Sequence, residues 1–122
     1  SSSAMGKETT AGGDNSIAMG YLTSASGGSS IAMGRSTSAS ELYATAMGHE
    51  TSASGNSSTA TGYQTTASGS ASTVMGKGTI ASDYGSLVIG TYNLSGSTVT
   101  VDGTLPNKGG IFSPSHSPGF AL

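Results

Sequence analysis

The sequence predicts an all-β chain coiled into a narrow parallel β-solenoid, and three observations carry that prediction. Glycine stands at 6, 20, 34, 48, 62, 76 and 90, always fourteen residues apart and without an insertion. Inside each repeat the residue types alternate with a period of two, the strand period. The 122 residues contain twenty Gly, two Phe and no Trp, too few large apolar side chains for one globular core.

Each repeat supplies two short strands. In the second, Ser16, Ala18 and Gly20 alternate with Ile17 and Met19, and then Thr23 and Ala25 alternate with Ser24 and Ser26. Turns rich in Gly, Ser and Asn follow each strand. At about 3.3 Å per residue, two strands and two tight turns use up the repeat, so the chain coils once per repeat. Seven rungs stacked at about 4.8 Å make a rod roughly 33 Å long. Rival repeats fail. Apolar residues do not recur at heptad positions and Gly crowds every would-be helical turn, against a coiled coil. Gly does not fall at every third residue, against collagen. A disordered Gly/Ser linker needs no fixed register, and this chain keeps one.

In so narrow a coil the inward side chains must be small. The columns Ala4, Ala18, Ala32, Ala46, Ala60, Val74, Val88 and Ala11, Ala25, Ala39, Ala53, Ala67, Ala81 are expected inside. That places Met5, Ile17, Met19, Ile31, Met33, Met47, Met75, Leu87 and Ile89 outside, as an apolar stripe suited to a subunit interface. Methionine fits such a surface because its flexible chain fills irregular gaps.

The phrase Asn15-Ser16-Ile17-Ala18-Met19-Gly20 resembles the head repeat of YadA-like trimeric autotransporter adhesins, which reads approximately N-S-V-A-I-G-x-x-S-x-A-x-G. The resemblance runs over about residues 2–90, three quarters of the chain. It implies a left-handed parallel β-roll, a homotrimer of rolls side by side, display on a bacterial surface, and binding to host matrix protein or glycan. Similar repeats also occur in bacterial and phage fibre proteins. Met replaces the usual Ile or Leu here, and Thr45, Thr59 and Thr73 take the Val place.

Two further columns are candidate sites. Directly after each glycine come Lys7, Tyr21, Arg35, His49, Tyr63 and Lys77, a stack of cations and rings suited to acidic or sulfated glycans or an extended polypeptide. The bland alternative is a solvated turn that keeps the rod soluble, and Glu8 and Glu50 beside it weaken a purely anionic ligand. Thr9, Thr23, Thr37, Thr51, Thr65 and Thr79 form a hydroxyl rank, either an ice-binding face or an internal ladder.

Other classes find little support. Net charge is −2 with 8% charged residues, so nothing draws the chain to nucleic acid. No run approaches the roughly 20 apolar residues of a membrane span. Cysteine is absent, which excludes a disulfide scaffold. His49 and His116 are isolated, with no metal-ligand spacing or phosphate loop. No enzyme, cofactor or metal is expected. Residue 1 already stands inside a repeat, which reads as a mature or excised piece.

The repeat roll is assigned to residues 1–92 and a non-repeat tail to 93–122. Within the tail, Ser97 to Val101 alternates like a strand before Asp102-Gly103. Val99, Val101, Phe112 and Phe120 are candidates to cap the roll or to add a strand to a neighbouring copy. The functional expectation is a non-enzymatic, extracellular, adhesin-head-like rod. A self-assembling filament is the alternative and an ice-binding solenoid the third.

Overall fold

A computed structural model describes residues 1–92, and the tail residues 93–122, with Val99, Val101, Phe112 and Phe120, lie outside them. Thirteen strands follow in order: β1 (Ser3–Lys7), β2 (Thr10–Ala11), β3 (Ile17–Tyr21), β4 (Ser24–Ala25), β5 (Ile31–Arg35), β6 (Ser38–Ala39), β7 (Thr45–His49), β8 (Ser52–Ala53), β9 (Thr59–Tyr63), β10 (Thr66–Ala67), β11 (Thr73–Lys77), β12 (Ile80–Ala81) and β13 (Leu87–Thr91). Odd strands build a seven-stranded sheet, even strands a six-stranded one, each in chain order. Every pairing is parallel and offset by one repeat: Ile17 meets Ile31, Ala18 meets Ala32, and so on to Tyr21 with Arg35. The coil completes six turns, and β13 of the seventh rung closes the wide sheet.

Backbone hydrogen bonds tie each rung to the next. Where strands begin the lower rung donates upward, as Thr10 N to Thr23 O at 2.9 Å and Ile17 N to Ser30 O at 2.9 Å. At the corner after each wide strand the upper rung donates downward, as Leu22 N to Lys7 O at 3.0 Å and Ser36 N to Tyr21 O at 2.9 Å. The residue at that corner is left-handed: Glu8, Leu22, Ser36, Glu50, Gln64, Gly78 and Tyr92 all have φ near +60°. So do Asn15, Ser29, Tyr43, Ser57, Ala71 and Gly85 at the opposite corner. None of these positions holds a β-branched residue, although Thr abounds elsewhere. Branching at Cβ is costly at positive φ, so the chain keeps Thr out of its corners.

The column glycine has a different reason. From Gly6 to Gly76, φ lies between +118° and +129°, and an added Cβ would meet the next glycine's carbonyl oxygen at 1.9–2.1 Å. Only hydrogen fits between those two backbones.

The core is thin and made of small groups. Ala18, Ala25, Ala32, Ala39, Ala46, Ala53, Ala60, Ala67, Val74, Ala81 and Val88 are fully buried, as the alternation predicts, whereas on the end rung Ala4 is exposed and Ala11 half-buried. The structure adds a third buried column: Ser16, Ser30, Ala44, Ser58, Ser72 and Ser86 at the entry to each wide strand. Thr23, Thr37, Thr51, Thr65 and Thr79 are at most 1% exposed. They are the internal ladder, and the ice-binding alternative is corrected here: hydroxyls sealed inside the coil present no rank to water. Only Thr9, on the least covered rung, is partly exposed. The parity rule explains the outcome, because Thr23 shares its face with buried Ala25 across one intervening residue.

Candidate functional site

The wide sheet's outer face carries the side chains that the core leaves out. Ile17 and Met19 point away from the coil while Ala18 between them is sealed inside. Stacking sets these residues in two parallel columns, one led by Ile17, Ile31 and Leu87, the other by Met5, Met19, Met33, Met47, Met75 and Ile89. Their neighbours along the column half-cover them, yet Met5 stays 61% exposed and Met19 37%. The expected interface residues therefore lie together on one outward face. Thr45, Thr59, Thr61 and Thr73 interrupt it, and Thr61 Oγ1 donates to the Val74 carbonyl of the next rung at 3.5 Å.

At the end of each wide strand the cation–ring column forms two runs of contacts, Lys7–Tyr21–Arg35 and His49–Tyr63–Lys77–Tyr92. Lys7 Nζ lies 5.7 Å from the Tyr21 ring centre, and the Arg35 guanidinium 5.8 Å from it. His49 stacks on Tyr63 at 5.0 Å and 26°. Lys77 Nζ sits 5.7 Å from Tyr63 and 5.9 Å from Tyr92. Tyr21 and Tyr63 each have a cationic or aromatic neighbour on the rung to either side. Cation–ring contact restrains long, otherwise mobile side chains. Glu50 is occupied in the same ladder: Gln64 Nε2 donates to it at 2.9 Å, and His49 Nε2 lies 3.7 Å away.

The opposite end of the wide strands has another character, which the sequence alone does not bring out. Asp14, Glu41 and Asp83 all fall in the turn that leads into a wide strand. The cations and these three acids therefore flank the apolar columns on opposite edges. Among the described residues, no three His, Cys, Asp or Glu side chains converge on a point that would hold a metal ion. The Asn56-Ser57-Ser58 sequon lies at the acidic-edge corner. Its Ser58 is buried and accepts the Gly55 N–H at 3.2 Å, so the hydroxyl a glycosylation acceptor needs is withdrawn into the coil.

A parallel β-solenoid with a small-residue core, glycine-locked rungs and an uncovered apolar face is a repeat rod. Comparison with known families agrees. The YadA head domain repeat, in a pattern of two copies, matches residues 1–23, 25–51, 39–65, 53–79 and 67–93. The chain belongs to the YadA head repeat family. No curated protein matches it.

Proposed function

We propose that this chain is a non-enzymatic, adhesin-head-like rod displayed on a bacterial surface, working as a homotrimer of parallel copies. The observation that carries the reading is the uncovered outer face of the wide sheet. Parallel sheets occur almost only with both faces covered. Here the inner face closes on Ala, Ser and Thr, while Ile17 and Ile31, and beside them Met19, Met33 and Met47, stack on the outer one. A second and a third copy laid alongside would cover them, and the family likeness supports that arrangement.

The narrow sheet then faces outward, with Thr10, Ser24, Ser38, Ser52, Thr66 and Ile80 along it. A stiff rod repeats such weak contacts at every rung, and three copies multiply them by avidity, the route by which matrix protein or glycan would be held. Sedimentation velocity of the 122-residue chain tests the assembly. The expected species is a trimer. A monodisperse monomer overturns the reading, and long head-to-tail fibres would favour a filament subunit in its place.

A further inference from the structure

We propose that the methionine column is a redox site: hydrogen peroxide oxidises it on the unassembled chain and so bars that chain from the trimer. This rests on the trimer reading and gives its interface a chemical control. The chain holds five methionines, and all five, Met5, Met19, Met33, Met47 and Met75, stand in one column. Apolar character alone does not select that residue. The neighbouring column of the same face uses Ile17, Ile31 and Leu87 and no methionine, and Ile89 takes the next place after Met75. Cysteine is absent, so every sulfur atom of the chain lies on this one stripe.

A thioether is oxidised without activation by a base or a metal. The sulfur lone pair attacks one peroxide oxygen, and the S–O bond forms as the O–O bond breaks. The departing hydroxide takes the remaining proton and leaves as water. Sulfur gives up two electrons and the peroxide accepts them. The product is a sulfoxide, polar where the thioether was apolar. Exposure sets the order of attack. Met5 is 61% exposed, Met75 39% and Met19 37%, while Met33 and Met47 are half-covered by the rungs on either side. None of these side chains enters the core, which is made of Ala, Val, Ser and Thr. The coil therefore survives the modification.

The trimer contact does not. Each sulfoxide oxygen would be pressed against the apolar columns of neighbouring copies, where a strong acceptor needs a donor. The hydroxyls of that face belong to Thr45, Thr59, Thr61 and Thr73, and Thr61 already donates to the Val74 carbonyl. A buried acceptor without a donor is costly, and stacking repeats the cost at every methionine rung of every copy. On Met19, Met33 and Met47 the sulfoxide dipoles would also lie side by side, about 4.8 Å apart. Once three copies have joined, the same contact covers the sulfur atoms. The finished rod resists the oxidant that keeps its parts from joining, and the order of events is the control.

The test exposes the full chain to hydrogen peroxide in two orders. One sample is treated at a dilution where the copies are separate, the other after assembly, and both are quenched before sedimentation velocity and circular dichroism. Peptide mass spectrometry counts the oxygen added at each methionine. The dilute sample should gain sulfoxide first at Met5 and last at Met33 and Met47, and keep the coil spectrum. It should then need about a hundredfold more protein to assemble, the effect of one or two buried acceptors left without a donor. The assembled sample should keep Met19, Met33 and Met47 as thioethers and stay trimeric. Both methionine sulfoxide reductases, one for each epimer, should return the first sample to the trimer. There a dithiol supplies two electrons, closes to a disulfide, and the oxygen leaves as water.

Two variants separate the sulfur from its setting. Met5→Leu, Met19→Leu, Met33→Leu, Met47→Leu and Met75→Leu together should assemble with or without peroxide, because the exchange conserves volume and removes the sulfur. Met19→Gln, Met33→Gln and Met47→Gln together, polar at similar length, should keep the coil and stay monomeric with no oxidant present. An oxidised chain that trimerises like the untreated one would overturn the redox site and leave the trimer standing. So would loss of the coil spectrum on oxidation, or equal oxidation of Met33 in the two orders. An untreated chain that is monomeric at every concentration would overturn the trimer reading itself, and the control with it.

Discussion

Replacing Gly34 with alanine should break the rod at its middle. The new Cβ would stand 2.0 Å from the Gly48 carbonyl oxygen, 2.9 Å from its carbon and 3.0 Å from its nitrogen. All three atoms are backbone, so no side chain can swing aside. Alanine at φ +124° adds a backbone cost of about 1–3 kcal/mol. Moving β7 back by the ångström or more that relief requires would weaken several ladder hydrogen bonds, each worth roughly 0.5–1.5 kcal/mol net. Together these reach about 4–6 kcal/mol, comparable to the whole stability of a small domain. In a solenoid each rung leans only on its neighbours, so position matters as much as chemistry. Gly6→Ala makes an equally close approach, 1.9 Å to Gly20 O, but it costs only the end rung. Urea unfolding followed by circular dichroism should therefore show Gly34→Ala losing its single cooperative transition, while Gly6→Ala frays and keeps one. Gly12→Ala is the control: its Cβ meets nothing nearer than 4.0 Å, and its midpoint should barely move. If Gly34→Ala unfolds within about 1 kcal/mol of the wild type, close approach is not what holds glycine in that column.

The buried hydroxyl ladder gives a second prediction. Thr37 and Thr51 Oγ1 are sealed in the core without a hydrogen-bond partner, so Thr37→Val and Thr51→Val should each raise stability by about 1 kcal/mol; a loss of that size in thermal melts would mean the hydroxyls are bonded. Met33→Glu, on the outer stripe, should leave the far-ultraviolet spectrum of the coil unchanged and abolish assembly in light scattering, because a carboxylate would be buried among the neighbouring copies' apolar columns. A trimer that survives Met33→Glu would place the interface elsewhere.

Much of this architecture is legible in the letters. The glycine column sets the length of a turn, and the alternation about Ala18 sets which side chains face in. Thr23 can be placed by the same parity, two residues before Ala25; reading hydroxyls as surface groups is what keeps an exterior role open. The buried Ser16 column obeys the same rule, two residues before Ala18. The left-handed corners are harder, because they leave only a negative mark, the missing β-branched residue. The charged edges are illegible as a pair for a geometric reason. Arg35 and Glu41 are six residues apart in sequence, and nothing but the cross-section of the coil reveals that they flank one apolar face from opposite sides.

The locked glycine column also governs how such a rod can change in length. Inserting or deleting a few residues would slide a side chain into the slot between two backbones, so natural variants should gain or lose whole repeats. A whole repeat, by contrast, brings its own glycine, its own left-handed corners and its own small inward residues, and leaves every other rung stacked as before. Length can then drift from one descendant to the next one rung at a time, by about 4.8 Å each.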